Sequence, residues 1–241
     1  MQGIQDATVS EIAASSLAAV RVFERLGIDY CCGGKRPLAD VCRETGRDLP
    51  SVLSDLKSAM SATQGPARDW ATAPLRELIG HIVGTHHEYL KRELAPIGAR
   101  LDKVYRVYNE RYGPTLSGLP EVFNALRSEL EMHMRKEEMV LFPVIASYES
   151  AAVAGSPLPG TPFGTVSNPI RMMEAEHDSA GTALADIRTI TASYAIPEYA
   201  CVTYRSLMAG LQELEQDLHM HIHLENNILF PRAIAMENAG R

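Results

Sequence analysis

The sequence is poor in several features that would place it in familiar classes. Only 6% of its 241 residues are aromatic, and no apolar run approaches the ~20 residues needed to span a bilayer. Lys and Arg total 23 against 30 Asp and Glu, so the net charge of -7 argues against the basic face that nucleic acid requires. Residues 1–16 lack the basic start and apolar run of a secretory signal. We therefore expect a cytoplasmic protein that binds neither nucleic acid nor a membrane.

Cysteines and strand patterns are also scarce. The four cysteines, of which Cys31 and Cys32 are adjacent, do not form the spaced framework of a disulfide-stabilised secreted domain. Alternation with period 2, which marks β-strands, is almost missing, whereas apolar residues recur at helical spacing throughout the chain. We therefore expect an all-α protein.

Residues 61–74 divide the helical sequence into two units. This segment is small, polar and proline-bearing, which is typical of a linker. It predicts a small helical domain over residues 1–62 and a larger domain over residues 74–241.

Breaks within the larger unit define its architecture. Residues 150–169 are rich in Gly, Pro and Ser, which predicts a crossover loop without helix. Two softer breaks, at residues 112–114 and 195–197, leave four long helical segments. Four such segments indicate a four-helix bundle.

The bundle sequence contains an internal repeat. HMRKEEMVLFP begins at His133 and HIHLENNILFP begins at His221, so both follow the pattern H-x-x-x-E-x-x-x-L-F-P. Each copy is preceded by a single histidine, His87 or His177, which lies 46 or 44 residues upstream. The repeat indicates a duplicated helical hairpin with one ligand set in each half.

Six polar residues interrupt the apolar seams of the four predicted helices. They are His87, His133, Glu137, His177, His221 and Glu225. Apolar residues spaced by three and four positions flank each of them, so all six point into the bundle. Two buried carboxylates beside four imidazoles require compensation by cations. A His and a Glu one turn apart can reach a common ion, and carboxylates can bridge two ions.

Mixed nitrogen and oxygen ligands favour iron or manganese over a cysteine-rich zinc site, and we expect two iron ions. Each residue alone has a simpler interpretation, because a lone core histidine is often structural and His–Glu pairs occur on many solvated helix faces. The two matching sets together favour a dinuclear metal site. His86 shares an apolar stripe and is an alternative ligand. Glu129 and Glu176 either line the pocket or lie on solvated flanks.

The segment LGIDYCCGGKRPLADVCRE places Cys31 and Cys32 in a glycine-rich turn before a predicted helix. Because Lys35, Arg36 and a helix N-terminus would stabilise thiolates, we predict reactive thiols at both positions. A purely structural turn is the alternative. Adjacent cysteines form only a strained ring, which argues against a stable disulfide between them. The remaining cysteines are predicted to be buried: Cys42 and Cys201.

Both ends of the chain resemble one family. The N-terminal segment with its Tyr-Cys-Cys-Gly-Gly turn resembles the short domain of the iron–sulfur cluster repair di-iron proteins, and the rest resembles their hemerythrin-like bundle. The resemblance implies that the same six residues bind two irons, with Glu137 and Glu225 as bridges. Oxygen-carrying hemerythrins place a further histidine one turn after His177, where this chain has Gly181. We therefore expect iron that is more open or more labile.

The resemblance also implies a function. It implies repair of iron–sulfur clusters damaged by oxidative or nitrosative stress, with iron–sulfur proteins as clients, nitric oxide or oxygen as a small ligand, and a homodimer. Our hypothesis is that the bundle supplies labile iron, which Cys31 and Cys32 relay to a client. The alternatives are a carrier or sensor that binds nitric oxide or oxygen, a nitric oxide reductase, and a metal-free bundle that acts through protein contacts.

Overall fold

Helices make up most of the computed structural model, which describes residue 4 and residues 6–31, 33–62, 68–112 and 116–240. These parts of the chain contain no β-strand, and an isolated antiparallel bridge joins Thr8 to Pro37. The expectation of an all-α protein is confirmed.

Four short helices form the described part of the N-terminal unit. They are α1 (Val9–Ser15), α2 (Leu17–Leu26), α3 (Leu38–Glu44) and α4 (Leu49–Ala62). Thr8 caps α1 because its side chain accepts the backbone N–H of Glu11. Gly27 ends α2 in the left-handed conformation, at φ 60°. Phe23 and Tyr30 are buried in the core that these helices share.

Four long helical segments follow, as the sequence predicts. They are α5 (Leu75–His81) with α6 (Glu88–Tyr112), α7 (Leu119–Lys136) with α8 (Phe142–Ala154), α9 (Ser167–Ile190), and α10 (Val202–Leu224) with α11 (Phe230–Ala239). The chain is helical across each paired segment. Helix α6 packs against α7 and α10, and α7 packs against α9.

A π-helical turn joins the two helices of each paired segment. These turns are Ile82–His87, Glu137–Leu141 and Glu225–Leu229. In the two repeat copies, the N–H of Phe142 donates to the carbonyl of Glu137, and the N–H of Phe230 donates to that of Glu225. The Pro that follows each Phe has no N–H to continue the α-helical ladder. The Leu-Phe-Pro motif therefore explains why the helix changes register where each glutamate stands.

The expected loop over residues 150–169 is partly wrong. Helix α8 continues to Ala154, because residues 150–154 read SAAVA, and it ends where Gly155 adopts φ 62°. The buried carboxylate of Glu237 fastens the far end of the crossover by accepting the Thr165 hydroxyl at 2.5 Å and the Val166 N–H at 3.2 Å.

Separate apolar clusters lie in the N-terminal unit and in the bundle, while the domain boundaries 1–62 and 74–241 stay predictions. The two units also touch: α1 packs against α10 and against the π-helical turn Glu225–Leu229. Met220 contributes to this contact by packing on the N-terminal core. Within the described ranges, every helix is too short or too polar to cross a lipid bilayer.

Candidate metal centre

The six predicted ligands meet in one cluster inside the bundle. They are His87, His133, Glu137, His177, His221 and Glu225, and none is more than 2% exposed. They form two sets of four, and the ligand atoms of each set lie within 4.8 Å of one another. Both sets contain Glu137 and Glu225. This sharing is the arrangement expected for carboxylates that bridge two ions.

The histidines pair differently from the sequence-based expectation of one set per half. His87 joins His221, and His133 joins His177, so each set takes one histidine from each half of the repeat. That expectation is wrong because α6 packs against α10 and α7 against α9, which brings helices of opposite halves together. Within each pair the Nε2 atoms face each other, at 3.2 Å and 3.0 Å respectively.

The outer nitrogens of three histidines each have an acceptor. The Nδ1 of His87 lies 2.8 Å from the Glu138 carboxylate, and that of His133 lies 2.9 Å from Glu176. The Nδ1 of His177 lies 2.8 Å from the side-chain oxygen of Asn226. A neutral imidazole that donates from Nδ1 presents a lone pair at Nε2. Two such nitrogens 3.0–3.2 Å apart must share either a proton or a cation, and a metal ion would take the place of the proton.

The surroundings of the Glu137 carboxylate also indicate a cation site. Neither of its oxygens has a partner in hydrogen-bond geometry among the described residues, although the Nε2 atoms of His87 and His133 approach Oε2 to 3.4 and 3.3 Å. A buried carboxylate without compensation destabilises a fold by several kcal/mol. The donor set of imidazoles and carboxylates therefore fits a divalent cation.

The electrostatics of the cluster agree with this fit. Burial lowers the pKa of His133, but Glu137, Glu225 and Glu176 outweigh it and raise that pKa to about 9. The same opposition between burial and nearby carboxylates raises the pKa of His87. The pKa of His221 is lowered instead, because burial outweighs the neighbouring carboxylates there. Positive charge is therefore favoured at His87 and His133, and a bound metal would displace their protons.

The three uncertain residues lie outside both ligand sets. His86 is buried, and its Nδ1 lies 2.8 Å from the carboxylate of Asp217. Glu129 accepts the Ser179 hydroxyl at 3.0 Å. Glu176 contacts the His133 ring and Lys136, so it orients a predicted ligand.

Sequence reasoning missed Glu138 and Asn226, although the repeat contains a signal for both. Each comes directly after the glutamate of its repeat copy, and each holds the outer nitrogen of a histidine on another helix. Glu138 also accepts the ammonium of Lys91 at 2.9 Å. The two residues at this position of the repeat therefore have the same role, which is to contact the Nδ1 of a histidine. The contact is made by a carboxylate in one copy and by an amide in the other.

The three described cysteines, Cys31, Cys42 and Cys201, belong to neither ligand set. Cys31 is buried, and its thiol lies 3.3 Å from the Asp29 carboxylate. The two cations expected to stabilise a thiolate contact carboxylates instead, Lys35 that of Glu174 and Arg36 that of Glu44. The reactivity of Cys31 stays a prediction.

The other cysteines have three different outcomes. Cys32 lies outside the described residues. Cys42 is buried as predicted, and burial raises the pKa of its thiol. The prediction of a core position for Cys201 is wrong, because this residue is exposed at the N-cap of α10. Its neighbour Val202 is 83% exposed, whereas Tyr204, two residues further on, is buried, so the start of α10 turns Cys201 and Val202 outward.

Known proteins match both parts of the chain. The model of the hemerythrin HHE cation binding domain matches residues 78–233, and a model described as a domain of unknown function (DUF542) matches residues 5–60. The chain is 36% identical to the iron–sulfur cluster repair protein YtfE of Citrobacter koseri over 234 residues, which cover 97% of this chain and 99% of the relative. Proteins of the same name from Escherichia coli and Pectobacterium carotovorum are 37% and 34% identical, with the same coverage.

The helical fold, the buried cluster and the matched domain define a hemerythrin-like cation-binding protein with an additional N-terminal domain. Because the similarity covers nearly the full length of chain and relatives, the chain belongs to the family of iron–sulfur cluster repair proteins named YtfE. The resemblance inferred from the two motifs is confirmed.

Proposed function

We propose that this chain repairs damaged iron–sulfur clusters by supplying iron from a centre that holds two iron ions. The observation that carries the proposal is the pair of overlapping ligand sets, because both contain Glu137 and Glu225. The name of the relatives supports the repair function. Two imidazoles would complete each iron site: His87 with His221, and His133 with His177.

The surrounding residues suit iron that can leave. The outer carboxylates Glu138 and Glu176 keep side-chain exposures of 30% and 29%, and each contacts a surface lysine. A single partly exposed side chain, Glu138 on one side and Glu176 on the other, therefore separates the cluster from solvent. Gly181 offers no side chain one turn after His177, and the two ligand sets found among the described residues supply six protein ligands for two ions. When bound, ferrous iron supplies a centre that can take up small ligands and give up electrons.

A small cavity supports nitric oxide or oxygen as the small ligand. It has a volume of about 10 Å³ and lies beside His133, His177 and His221. Apolar side chains form much of its wall, among them Leu130 and Leu218. This volume is close to the minimum of ~10–15 Å³ for one water molecule, so the cavity marks a side from which a small ligand would approach the cluster. Iron–sulfur proteins are the clients that repair implies, whereas a homodimer, a cytoplasmic location and nitric oxide reduction stay predictions.

The first experiment measures iron in protein purified without oxygen. We expect two irons per chain in the wild type and a sharp loss in Glu137→Ala, because this carboxylate belongs to both ligand sets. Glu131→Ala is the matched control, since it removes an exposed carboxylate from α7, the helix that leads into the turn with Glu137. One iron per chain in the wild type, or an unchanged iron content in Glu137→Ala, would overturn the dinuclear assignment.

The second experiment tests repair. The iron-loaded protein is incubated with an enzyme whose [4Fe–4S] cluster has been damaged by nitric oxide, and recovery of the enzyme's activity is followed. We expect recovery in the presence of a chelator that suppresses repair by free ferrous iron. A double Cys31→Ser, Cys32→Ser variant tests the relay: normal recovery would remove the cysteines from the mechanism. Nitrous oxide release without recovery would favour the reductase alternative.

A further inference from the structure

The π-helical turn Glu225–Leu229 carries contacts in two directions. Glu225 belongs to both ligand sets, and Asn226 holds the His177 ring. The next residue, Asn227, turns away from the bundle interior. Its side-chain NH₂ donates to the carbonyl oxygen of Tyr30 at 3.1 Å. Three consecutive residues therefore connect the predicted metal centre to the turn that precedes Cys31.

The Tyr30 end of this connection is tightly held. Tyr30 is 1% exposed, and its ring packs edge-on against His223, with ring centroids 5.4 Å apart. The same amide nitrogen lies 2.9 Å from His223 Nδ1, which accepts an N–H from it when the His223 ring carries its proton on Nε2. A Cβ on Gly34 would lie 2.5 Å from the Tyr30 carbonyl oxygen, which shows how closely the turn encloses this group.

The cysteine-bearing turn, which is described at residues 28–31 and 33–34, is held by hydrogen bonds. Asp29 accepts the N–H of Cys31 at 2.9 Å and that of Gly33 at 2.8 Å. The Gly34 carbonyl accepts the Ser10 N–H at 2.8 Å, which ties the turn to α1. Helix α1 itself packs against the π-helical turn. A shift of that turn would therefore reach the cysteine-bearing turn through backbone contacts.

The other copy of the repeat lacks this connection and serves as an internal comparison. Met139 occupies the place of Asn227 and is 77% exposed. Arg135 occupies the place of His223 and is also exposed. The inner positions of the two copies are alike, with a shared glutamate followed by a residue that holds a histidine. The positions that face away from the cluster differ: Asn227 and His223 contact the N-terminal unit, whereas Met139 and Arg135 are exposed.

We propose that the π-helical turn Glu225–Leu229 couples metal binding at the cluster to the docking of the cysteine-bearing turn on the bundle. Asn227 is the positioning residue in this coupling. The inference rests on the proposed metal centre. Metal bound by Glu225 fixes the turn, and the turn fixes Asn227 against Tyr30. Because coupling between two sites is reciprocal, docking of the cysteine-bearing turn also strengthens metal binding.

Hydrogen exchange of the full-length protein, read by mass spectrometry over residues 28–34, tests the coupling. In the wild type, removal of ferrous iron by a chelator should speed exchange in this segment about fivefold, the effect of losing one hydrogen bond from a local opening equilibrium. In Asn227→Asp, which keeps the shape but has no N–H donor, exchange should be fast with and without iron. Asn227→Met, which copies the other half of the repeat, should behave in the same way.

Met139→Asn is the control at the equivalent position and should respond to iron as the wild type does. Iron content is measured separately for every variant, and circular dichroism confirms folding. One outcome would overturn the coupling and leave the proposed function intact: iron content falls in Glu137→Ala, but the exchange rate over residues 28–34 is the same with and without iron. Wild-type protein that binds no iron would overturn both. Asn227→Asp with a full wild-type response would remove Asn227 from the connection.

Discussion

The contact between Asn226 and His177 permits a quantitative prediction. Asn226 is 7% exposed, and its side-chain oxygen lies 2.8 Å from His177 Nδ1. Asn226→Ala removes this oxygen and, with it, the group that sets the orientation and basicity of the ring. Loss of such an outer partner weakens metal binding by about 10–100-fold. At 1.4 kcal/mol per factor of ten, this equals ~1.4–2.8 kcal/mol.

The assay is competition for ferrous iron against a chelator of known affinity, under anaerobic conditions. Asn226→Asp keeps an acceptor at the same place and should bind iron at least as well as the wild type. Asn124→Ala, on the exposed surface of α7, controls for the loss of an amide elsewhere. Equal competition curves for Asn226→Ala and the wild type would refute the argument that this amide supports a ligand.

Three further substitutions test contacts elsewhere in the molecule: in the N-terminal unit, in the bundle core and at the crossover. Gly34→Ala should lower the free energy of unfolding by ~1–3 kcal/mol in a denaturant titration, because its Cβ would lie 2.5 Å from the Tyr30 carbonyl oxygen; an unchanged midpoint would contradict this contact. Phe123→Ala removes a fully buried ring and should lower the same quantity by ~3–5 kcal/mol, and an effect no larger than that of an exposed residue would exclude tight packing. Glu237→Ala should speed protease cleavage within residues 155–166 without loss of iron, because it releases Thr165 and the Val166 N–H; unaltered cleavage would refute the fastening role.

Helical periodicity made most of the fold predictable. A side chain's direction on a helix follows from its position along the chain, so a seam of apolar residues shows which polar residues point inward. His133 and Glu137 interrupt such a seam, and the structure places both in the buried cluster. The method failed where local composition misled it, as at residues 150–154, which extend α8.

The residues that support the cluster were harder to predict. Glu138 and Asn226 lie beside seam positions, where periodicity gives no inward direction. Their contacts with His87 and His177 depend on which helices lie next to each other. The same holds for Asn227, whose partner Tyr30 is 197 residues away in the chain.

The sequence by itself determined the helical fold class, the repeat, the family and the inward direction of the six predicted ligands. Each of these follows from short-range spacing or from motifs that are complete within a few helical turns. Only the tertiary structure decided that each ligand set joins the two halves of the repeat, pairing His87 with His221 and His133 with His177. It also decided that the N-terminal unit docks on one copy of the repeat through Tyr30. The physical reason is that helix neighbours are chosen by the packing of whole faces, which a one-dimensional period does not specify.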